Sequence, residues 1–367
     1  MPVTLAPERT EALLVLGSKR SEEPYSREDQ DLLVAVATSL ALLMEKPAVA
    51  EAPAASRALA ECPQCGTCYD TGTPRCSQEN ASLVPVPLPR LLAERYRLER
   101  RLGRGGMGTV YEASDTALER RVAVKVIRED LIGDADAAER FRREARVLAA
   151  FAHPNVVTVY DFGTAAGTRA FLVMELLEGP NLREEIRREG RLAVPRIVEI
   201  LKGVCSAVEA AHRRQLIHRD LKPANIMLAR TEEGETPKVL DFGLAKFVRA
   251  DTLATADTLT DSRDLVGTLL YMSPEQLRGE TAHPVWDLWA LAVIAYEMLT
   301  GARPFAGATF SELQSAVLAG QFTPLDKNLP KAPERWQEFF ARAFAMEVEQ
   351  RPNTARALLS EFERVLA

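Results

Sequence analysis

The sequence predicts an α+β protein in which a β-rich region precedes a larger helical region. From about residue 96, the segments RYRLERRL, TVYEASD and VAVK alternate like strands, and later segments such as WDLWALAVIAYEML have the length and apolar content of helices. Strands followed by helices in separate runs are typical of α+β folds. The 367 residues are 47% hydrophobic and 27% charged, which indicates a folded globular chain.

The charge balance excludes some broad classes of function. The net charge is −6, and 46 Lys and Arg are interspersed with 52 Asp and Glu, so nothing in the sequence indicates nucleic-acid binding. No apolar stretch reaches the roughly 18 to 20 residues that span a bilayer. The N-terminal MPVTLAPERTE lacks the basic and apolar regions of a signal peptide. We therefore expect a cytoplasmic protein without a membrane span.

The first 46 residues predict one strand and one helix. ALLVL, at 12–16, is typical of a buried strand, and SRED at 26–29 begins a helix with a capping box. The simplest interpretation is an appendage that packs on another domain. The segment is also similar to the closing strand, turn and last helix of a GAF domain, which implies that most of such a domain is missing.

A cysteine-rich segment, 61–80, lies between an Ala/Pro linker at 47–60 and a second linker at 81–95. Its motif C-P-x-C-G is a knuckle, in which two thiolates on a tight turn can hold one tetrahedral ion. The segment resembles a short zinc ribbon with a degenerate second knuckle, because only one cysteine stands where a second pair is expected. Zn²⁺ would be held by Cys62, Cys65, Cys68 and Cys76, with Glu79 as an alternative fourth ligand. A ribbon without metal and a thiol redox site are the other interpretations.

A glycine-rich motif begins at residue 103. GRGGMGTV places Gly103, Gly105, Gly108 and Val110 in the pattern G-x-G-x-x-G-x-V. Glycines in such a turn let backbone N–H groups reach phosphate oxygens without a Cβ in the way. A dinucleotide-binding turn has nearly the same pattern, but it opens a helix. The flanks here alternate like two strands of a hairpin, which favours a phosphate-covering hairpin.

Further motifs follow in a fixed order. They are VAVK with Lys125, a helix with Glu144, HRDLKPAN with Asp220, Lys222 and Asn225, DFG with Asp241, and GTLLYMSPE at 267–275 before a distal Arg351. In this order they resemble the signature elements of protein kinases, over residues 96–367. Their style is similar to that of the eukaryotic-like Ser/Thr kinases of bacteria. The resemblance implies a bilobal fold, with a small β-rich N-lobe that has one key helix and a larger helical C-lobe.

The resemblance also implies catalytic roles. Asp220 would orient the substrate hydroxyl and accept its proton, and Lys222 would neutralise charge on the transferring group. Lys125 would hold the α- and β-phosphates of ATP and pair with Glu144. Thr268 matches the threonine that bonds back to the catalytic aspartate.

The expected nucleotide site combines several segments. Gly103, Gly105, Gly106 and Gly108 would cover the phosphates, and Asn225 and Asp241 would bind Mg²⁺. Adenine would lie between Val110 and Ala123 above and Met227 below. Met174 falls at the gatekeeper position, and the backbone of Glu175 and Leu177 would supply hinge hydrogen bonds.

Other residues match supporting positions of the family. His218 and Phe242 would stack with Leu148, Asp287 would anchor the catalytic loop, and Glu275 would pair with Arg351. Arg219 before the catalytic aspartate indicates activation by phosphorylation between 241 and 275, where the hydroxyls are Thr252, Thr255, Thr258, Thr260 and Ser262. A flexible loop with incidental hydroxyls is the alternative.

The sequence thus predicts an ATP- and Mg²⁺-dependent protein Ser/Thr kinase that phosphorylates protein substrates in bacterial signalling. Self-association would allow autophosphorylation in trans. A nucleotide-binding pseudokinase is a second interpretation, which the complete set of catalytic side chains disfavours. A third is a binding adaptor whose recognition part is the N-terminal 90 residues.

Overall fold

The protein divides into two compact units, Met1–Ala55 and Ser56–Ala367. In the first unit, strands β1 (Pro2–Ala6) and β2 (Arg9–Leu13) pair antiparallel. The computed structural model describes residues 2–6, 9–13, 58–131, 135–165, 169–232, 234–242 and 269–366.

The GAF-like prediction falls mostly outside these ranges. The strand predicted over 12–16 overlaps the end of β2, while the predicted turn and the helix from Ser26 lie outside the described residues.

The second unit begins with a small sheet built around the cysteine-rich segment. Strands β3 (Ala58–Glu61), β4 (Cys68–Asp70) and β5 (Val84–Pro89) form it in the order β4-β3-β5. The prediction of a linker over 81–95 is therefore corrected. VPVPLP is a strand because it buries Leu88, and its prolines are tolerated because β5 lies at the edge of the sheet.

A six-stranded antiparallel sheet with one helix forms the N-lobe. The helix α1 (Ala135–Ala149) connects the fourth and fifth of its strands along the chain. The strand order is β10-β11-β9-β8-β7-β6. The strands are β6 (Leu91–Leu92), β7 (Tyr96–Gly105), β8 (Gly108–Asp115), β9 (Arg120–Ile127), β10 (Val159–Ala165) and β11 (Arg169–Glu175).

The two faces of this sheet belong to different cores. Val122, Val124 and Val126 of β9 pack in the outer core, together with Leu59 and other residues of the small cysteine-rich sheet. Ala123 belongs to the inner core, which continues into the helices. Because side chains alternate along a strand, Lys125 lies on the inner side with Ala123, facing the helical lobe.

In its described residues, the C-lobe is helical apart from one hairpin, β12 (Ile226–Thr231) with β13 (Gly234–Val239). Its central helix is buried along nearly its whole length and is apolar all round except at few positions, which is typical of a core helix. No helix of the described stretches is long and apolar enough to cross a bilayer. The helices are α2 (Leu182–Glu189), α3 (Val194–His212), α4 (Pro274–Leu277), the central α5 (Val285–Thr300), α6 (Phe310–Leu318), α7 (Leu325–Asn328), α8 (Glu334–Ala343) and α9 (Ala355–Leu366).

The connection between the lobes depends on one close backbone approach. A Cβ at Gly179 would lie 2.1 Å from the carbonyl oxygen of Leu228, so only glycine fits between β11 and β12. Asn181 then starts α2 with a capping box, in which its side chain accepts from the N–H of Glu184. These contacts hold β12, which directly follows the predicted magnesium ligand Asn225, against the hinge.

Candidate active site

Three glycines of the glycine-rich hairpin face open space at the position that a side chain would occupy. A Cβ at Gly103, Gly105 or Gly106 would have no atom within 4 Å. At Gly108, by contrast, a Cβ would lie 2.1 Å from the carbonyl oxygen of Val126. Gly108 is therefore required by the fold, whereas the other three keep a cradle clear that fits the phosphates of a nucleotide.

Lys125 forms a short ion pair across the cleft. Its Nζ donates to Oδ2 of Asp241 at 2.6 Å, and its side chain is only 7% exposed. Lys125 comes from the N-lobe sheet and Asp241 follows β13 of the C-lobe, so this pair bridges the lobes. Asp241 has a φ of 61°, a left-handed conformation that aspartate adopts more readily than most residues.

The predicted pairing of Lys125 with Glu144 is not the arrangement found. Among the described residues, Lys125 pairs with Asp241, and the negative charge of Glu144 acts on Arg219. Glu144 lies half-buried on α1.

In the catalytic loop, Lys222 and Asn225 both contact Asp220. The Nζ of Lys222 lies 3.0 Å from Oδ2 of Asp220. Asn225 donates from Nδ2 to the backbone oxygen of Asp220 at 2.9 Å and to its Oδ2 at 3.3 Å. Because Asp220 is only 8% exposed, its charge depends on stabilisation by close partners, and Lys222 and Asn225 supply it.

Asn225 and Asp241 offer a donor set that fits Mg²⁺. Because the side-chain N–H of Asn225 donates to Asp220, its side-chain oxygen Oδ1 is the atom that can coordinate a cation. The N–H of Leu240, next to Asp241, donates to the backbone oxygen of Asn225 at 2.9 Å, so the two segments are held together. Oxygen ligands of this kind are the ones Mg²⁺ prefers.

Asp287 anchors the backbone of the catalytic loop from inside the C-lobe. It is 1% exposed and accepts from the N–H groups of His218 and Arg219, both at 2.9 Å, and contacts Nε2 of His212 at 2.7 Å. Arg219 has a φ of 68°, which is unusual for a long side chain. Gln276 donates to the carbonyl oxygen of Arg219 at 2.8 Å and secures its other side.

The apolar side chains that are expected to contact adenine lie on the inner side of the N-lobe sheet and near the hinge. Ala123 is opposite Met174 in the β9–β11 register, and both are buried. Val110 and Leu177 are half-buried and pack against the inner core. Met227, also half-buried, bridges the backbone of Asn181 below the hinge.

The hinge residue Glu175 is fixed through its side chain. Its carboxylate holds Nζ of Lys238 at 2.6 and 2.9 Å and accepts from the N–H of Thr158. Its own N–H donates to the carbonyl oxygen of Thr158. These bonds fix the side chain and the N–H of Glu175 at the junction of the two lobes.

The chain belongs to the protein kinase family. Residues 96–362 match the family model described as the protein kinase domain, which is more than half of the chain. The predicted bilobal α+β fold is confirmed by this match and by the solved PknI kinase domain of Mycobacterium tuberculosis, with a TM-score of 0.59 at 24% identity, covering 75% of this chain and 97% of that one.

Two curated relatives have a higher sequence identity to this chain than the PknI kinase domain has. The serine/threonine-protein kinase PknB of Mycolicibacterium smegmatis is 43% identical over 222 residues, which cover 60% of this chain and 34% of PknB. The serine/threonine-protein kinase PknA of Mycobacterium tuberculosis is 42% identical over 220 residues, which cover 59% and 49%. The aligned part is thus less than half the length of these relatives.

The kinase domain contains the predicted column of apolar residues between its lobes. The rings of His218 and Phe242 lie 4.7 Å apart, and Leu148 belongs to the same core. Phe151 makes an edge-to-face contact with Phe242 at 5.9 Å, a role that was not predicted. Its position just after α1 in FAHPN was the available signal.

A buried ion pair supports the end of the kinase activation segment. Arg351 donates to both carboxylate oxygens of Glu275, at 2.7 and 3.1 Å, and its guanidinium stacks on Trp289. Burial acts to raise the pKa of Glu275, but the hydrogen bonds from Arg351 outweigh it and the pKa lies below its usual range. Ser273 caps α4 by accepting from the N–H of Gln276.

Part of the predicted activation machinery lies outside the described residues. This applies to Thr268 and to the hydroxyls at 252, 255, 258, 260 and 262. Within the described part, Nε of Arg219 is a buried donor without a hydrogen-bond partner. Burial lowers the pKa of Arg219, while Glu144 and Asp287 act to raise it.

Three of the four predicted zinc ligands lie together. The sulfurs of Cys62, Cys65 and Cys76 are within 4.8 Å of one another, and Cys65 and Cys76 are 3.6 Å apart. Sulfurs that share one tetrahedral Zn²⁺ at about 2.3 Å each lie about 3.8 Å apart, so the three thiols fit one ion. A hydrogen bond from Tyr69 lowers the pKa of Cys76 to about 6, which favours its thiolate.

Cys68, the fourth predicted zinc ligand, does not lie with the other three sulfurs, so this part of the prediction is corrected. Its thiol donates to the carbonyl oxygen of Gly66, and its side chain packs in the outer core with Leu59 and Leu88. Burial raises the pKa of Cys68 to about 12, so it is a neutral core residue. The alternative ligand Glu79 donates its backbone N–H to the sulfur of Cys76 at 3.4 Å.

Proposed function

We propose that this protein is an ATP- and Mg²⁺-dependent protein Ser/Thr kinase. The observation that carries the proposal is the convergence in the cleft of Asp220, Lys222 and Asn225 of the catalytic loop with the Lys125–Asp241 pair that bridges the lobes. Phosphoryl transfer needs positioning and charge neutralisation, and these five residues supply both.

Each residue has a defined task in this proposal. Asp220 orients a substrate hydroxyl and accepts its proton, while Lys222, 3.0 Å from that carboxylate, neutralises charge on the transferring group. Lys125 contacts the nucleotide phosphates, and Asn225 with Asp241 holds Mg²⁺. When bound, Mg²⁺ neutralises the β- and γ-phosphate oxygens. The open space at Gly103, Gly105 and Gly106 accepts the phosphates under backbone N–H groups.

Phosphorylation of the segment between Asp241 and Glu275 is the proposed mode of activation. What supports it is Arg219, whose buried Nε has no partner among the described residues and whose charge burial disfavours. A phosphate on one of the hydroxyls Thr252, Thr255, Thr258, Thr260 or Ser262 would supply the missing acceptor. Transient association of two copies would allow this transfer in trans.

The test is phosphate transfer by the Asp220→Asn variant. We expect transfer to a generic basic protein and to the segment 243–268 to be lost, because asparagine cannot accept the proton, while thermal unfolding stays within a few degrees of that of the parent. Asp326→Asn, which changes an exposed aspartate on α7, is the matched control and should remain active. Full activity in Asp220→Asn would exclude the proposed mechanism, and ATP binding without transfer in the parent would indicate a pseudokinase.

We also infer that the cysteine-rich sheet binds a thiophilic cation such as Zn²⁺. Support comes from the three clustered sulfurs of Cys62, Cys65 and Cys76 and from the lowered pKa of Cys76. Within the described residues, the cluster has three cysteine ligands, so the fourth ligand of the ion would be water or another group. Elemental analysis of the purified protein should find about one Zn²⁺ per chain, and the triple Cys→Ser variant should contain none.

A further inference from the structure

The cysteine-rich sheet contacts the strand that leads into the glycine-rich loop. We propose that Glu61, which lies outside the segment that matches the kinase family, positions the glycine-rich loop for ATP, and that the cation of the three-cysteine site holds Glu61 in place. The inference rests on the cation site proposed above. It assigns the cysteine-rich sheet a part in nucleotide binding.

Glu61 is a buried carboxylate surrounded by groups of the glycine-rich hairpin. It is 4% exposed, although the residue type is usually at the surface. Its Oε1 lies 2.8 Å from the guanidinium of Arg101 and 3.9 Å from that of Arg104, and Tyr111 donates to its Oε2 at 3.4 Å. Arg101 and Arg104 stand on either side of Gly103 in the sequence.

A second set of contacts joins the knuckle backbone to the same strand. The N–H of Arg101 donates to the carbonyl oxygen of Gly66 at 2.8 Å, and Thr67 forms an antiparallel bridge with Arg100. A Cβ at Gly66 would lie 2.8 Å from the carbonyl oxygen of Arg101. The knuckle is therefore seated directly on β7, two residues before Gly103.

The proposed cation would fix this knuckle. Cys62 follows Glu61 directly, its N–H donates to the carbonyl oxygen of Thr67, and its own carbonyl accepts from the N–H of Gly66. Binding of Cys62 and Cys65 to one ion closes the turn that carries both contacts to Arg101. Without the ion, the turn is held by its few hydrogen bonds alone, and the grip on β7 loosens.

The expected effect is on nucleotide binding and not on the chemical step. Among the described residues, Glu61 contacts Arg101, Arg104 and Tyr111 and not the reacting groups Asp220 and Asp241, so it is a positioning residue. The loop contributes backbone N–H groups to the phosphates, and those groups bind well only when the hairpin is held in one conformation. Loss of Glu61 should therefore raise KM for ATP and leave kcat nearly constant.

The primary experiment is steady-state kinetics of the full chain carrying Glu61→Gln. We expect KM for ATP to rise about threefold to tenfold, as for the loss of an ion pair with one partly exposed partner, with kcat and the KM for the protein substrate within about twofold and the zinc content unchanged. Glu99→Gln is the matched control. Glu99 also lies on the N-lobe side of this interface and pairs with Arg90 and Arg97, but among the described residues it forms no ion pair with Arg101 or Arg104.

Two further variants keep the inference testable if Glu61→Gln folds poorly. Arg101→Gln breaks the same pair from its more exposed partner, and the double variant should lose no more than either single one. Cys65→Ser should lower the zinc content and raise KM for ATP to the same extent as Glu61→Gln.

The outcomes separate the two parts of the inference. An unchanged KM for ATP in both Glu61→Gln and Arg101→Gln overturns the role of Glu61, whatever the zinc content. Loss of zinc in Cys65→Ser with an unchanged KM overturns the link between metal and loop. A parent protein that binds no zinc contradicts the cation site, yet leaves the Glu61 variants to decide the positioning role.

Discussion

Nζ of Lys125 and Oδ2 of Asp241 lie 2.6 Å apart, and this ion pair joins the two lobes at the centre of the cleft. The strand lysine is 6% exposed, so its charge depends on a close partner. Both groups also have a proposed part in binding Mg-ATP, the lysine on the phosphates and the aspartate on the cation. Nucleotide binding would therefore replace one contact of each residue by another of the same sign.

Lys125→Met should abolish most phosphate transfer without unfolding the protein. Methionine has a similar length and suits the apolar neighbours, but it removes the cation that faces both Asp241 and the phosphates. We expect kcat/KM for ATP to fall about 10²- to 10³-fold, as for removal of one strong electrostatic contact to the reacting group. Transfer to a basic protein and thermal unfolding measured on the same sample check both parts.

The control for this variant is Lys202→Met. Lys202 forms an ion pair with Glu199 on the surface of α3, so its loss should leave activity unchanged. Equal activity of the two variants would contradict the role of Lys125.

The sequence predicts the parts of the site that depend on local structure. Asp220, Lys222 and Asn225 occur within one short segment, so their mutual geometry follows from the conformation of one loop. The position of Lys125 on the inner face of the sheet likewise follows from strand alternation. The kinase fold could be predicted because many such segments occur in one order along the sequence, and the match to the family model confirms it.

Pairings between distant segments could not be predicted in this way. Which carboxylate meets Lys125 depends on how α1 packs against the sheet, and the spacing of Glu144 contains no information on that packing. The same reason applies to Cys68. Its residue type suits a metal site and a core equally, and only the apolar face of β7 and β8 decides that it is a core residue.

Gly105→Ala and Gly108→Ala should affect different properties. Gly105 faces open space and its φ lies outside the left-handed region, so an alanine there is tolerated by the fold. We expect its unfolding free energy to stay within about 0.5 kcal/mol of the parent, while KM for ATP rises because the methyl group enters the phosphate cradle.

Gly108→Ala places a Cβ 2.1 Å from the carbonyl oxygen of Val126, so the backbone must move. We expect a loss of about 2 kcal/mol or more in unfolding free energy. Denaturant titration and ATP kinetics of both variants provide the comparison. A stable Gly108→Ala protein, or a Gly105→Ala protein with the parent's KM, would argue against this division.

Arg351→Met should destabilise the C-lobe in a way that depends on pH. In the parent, hydrogen bonds from Arg351 overcome burial and keep the pKa of Glu275 below its usual range. A lowered pKa in the folded state means that this carboxylate contributes stability above its unfolded pKa of about 4.3 and loses it as the pH falls through the folded value. Without Arg351, burial acts to raise the pKa of Glu275 against only the weaker hydrogen bonds from Ser273 and the backbone, so the charge of Glu275 becomes costly at neutral pH.

The difference in stability between Arg351→Met and the parent should therefore be largest at pH 7, at about 3 to 5 kcal/mol, and smaller at pH 5. Urea titrations at both pH values measure it. The double variant Glu275→Gln with Arg351→Met removes the titrating group, so its deficit should be smaller at pH 7 and nearly equal at the two pH values. A deficit of Arg351→Met that does not change with pH would show that lost packing on Trp289, and not the buried charge, is the main cost.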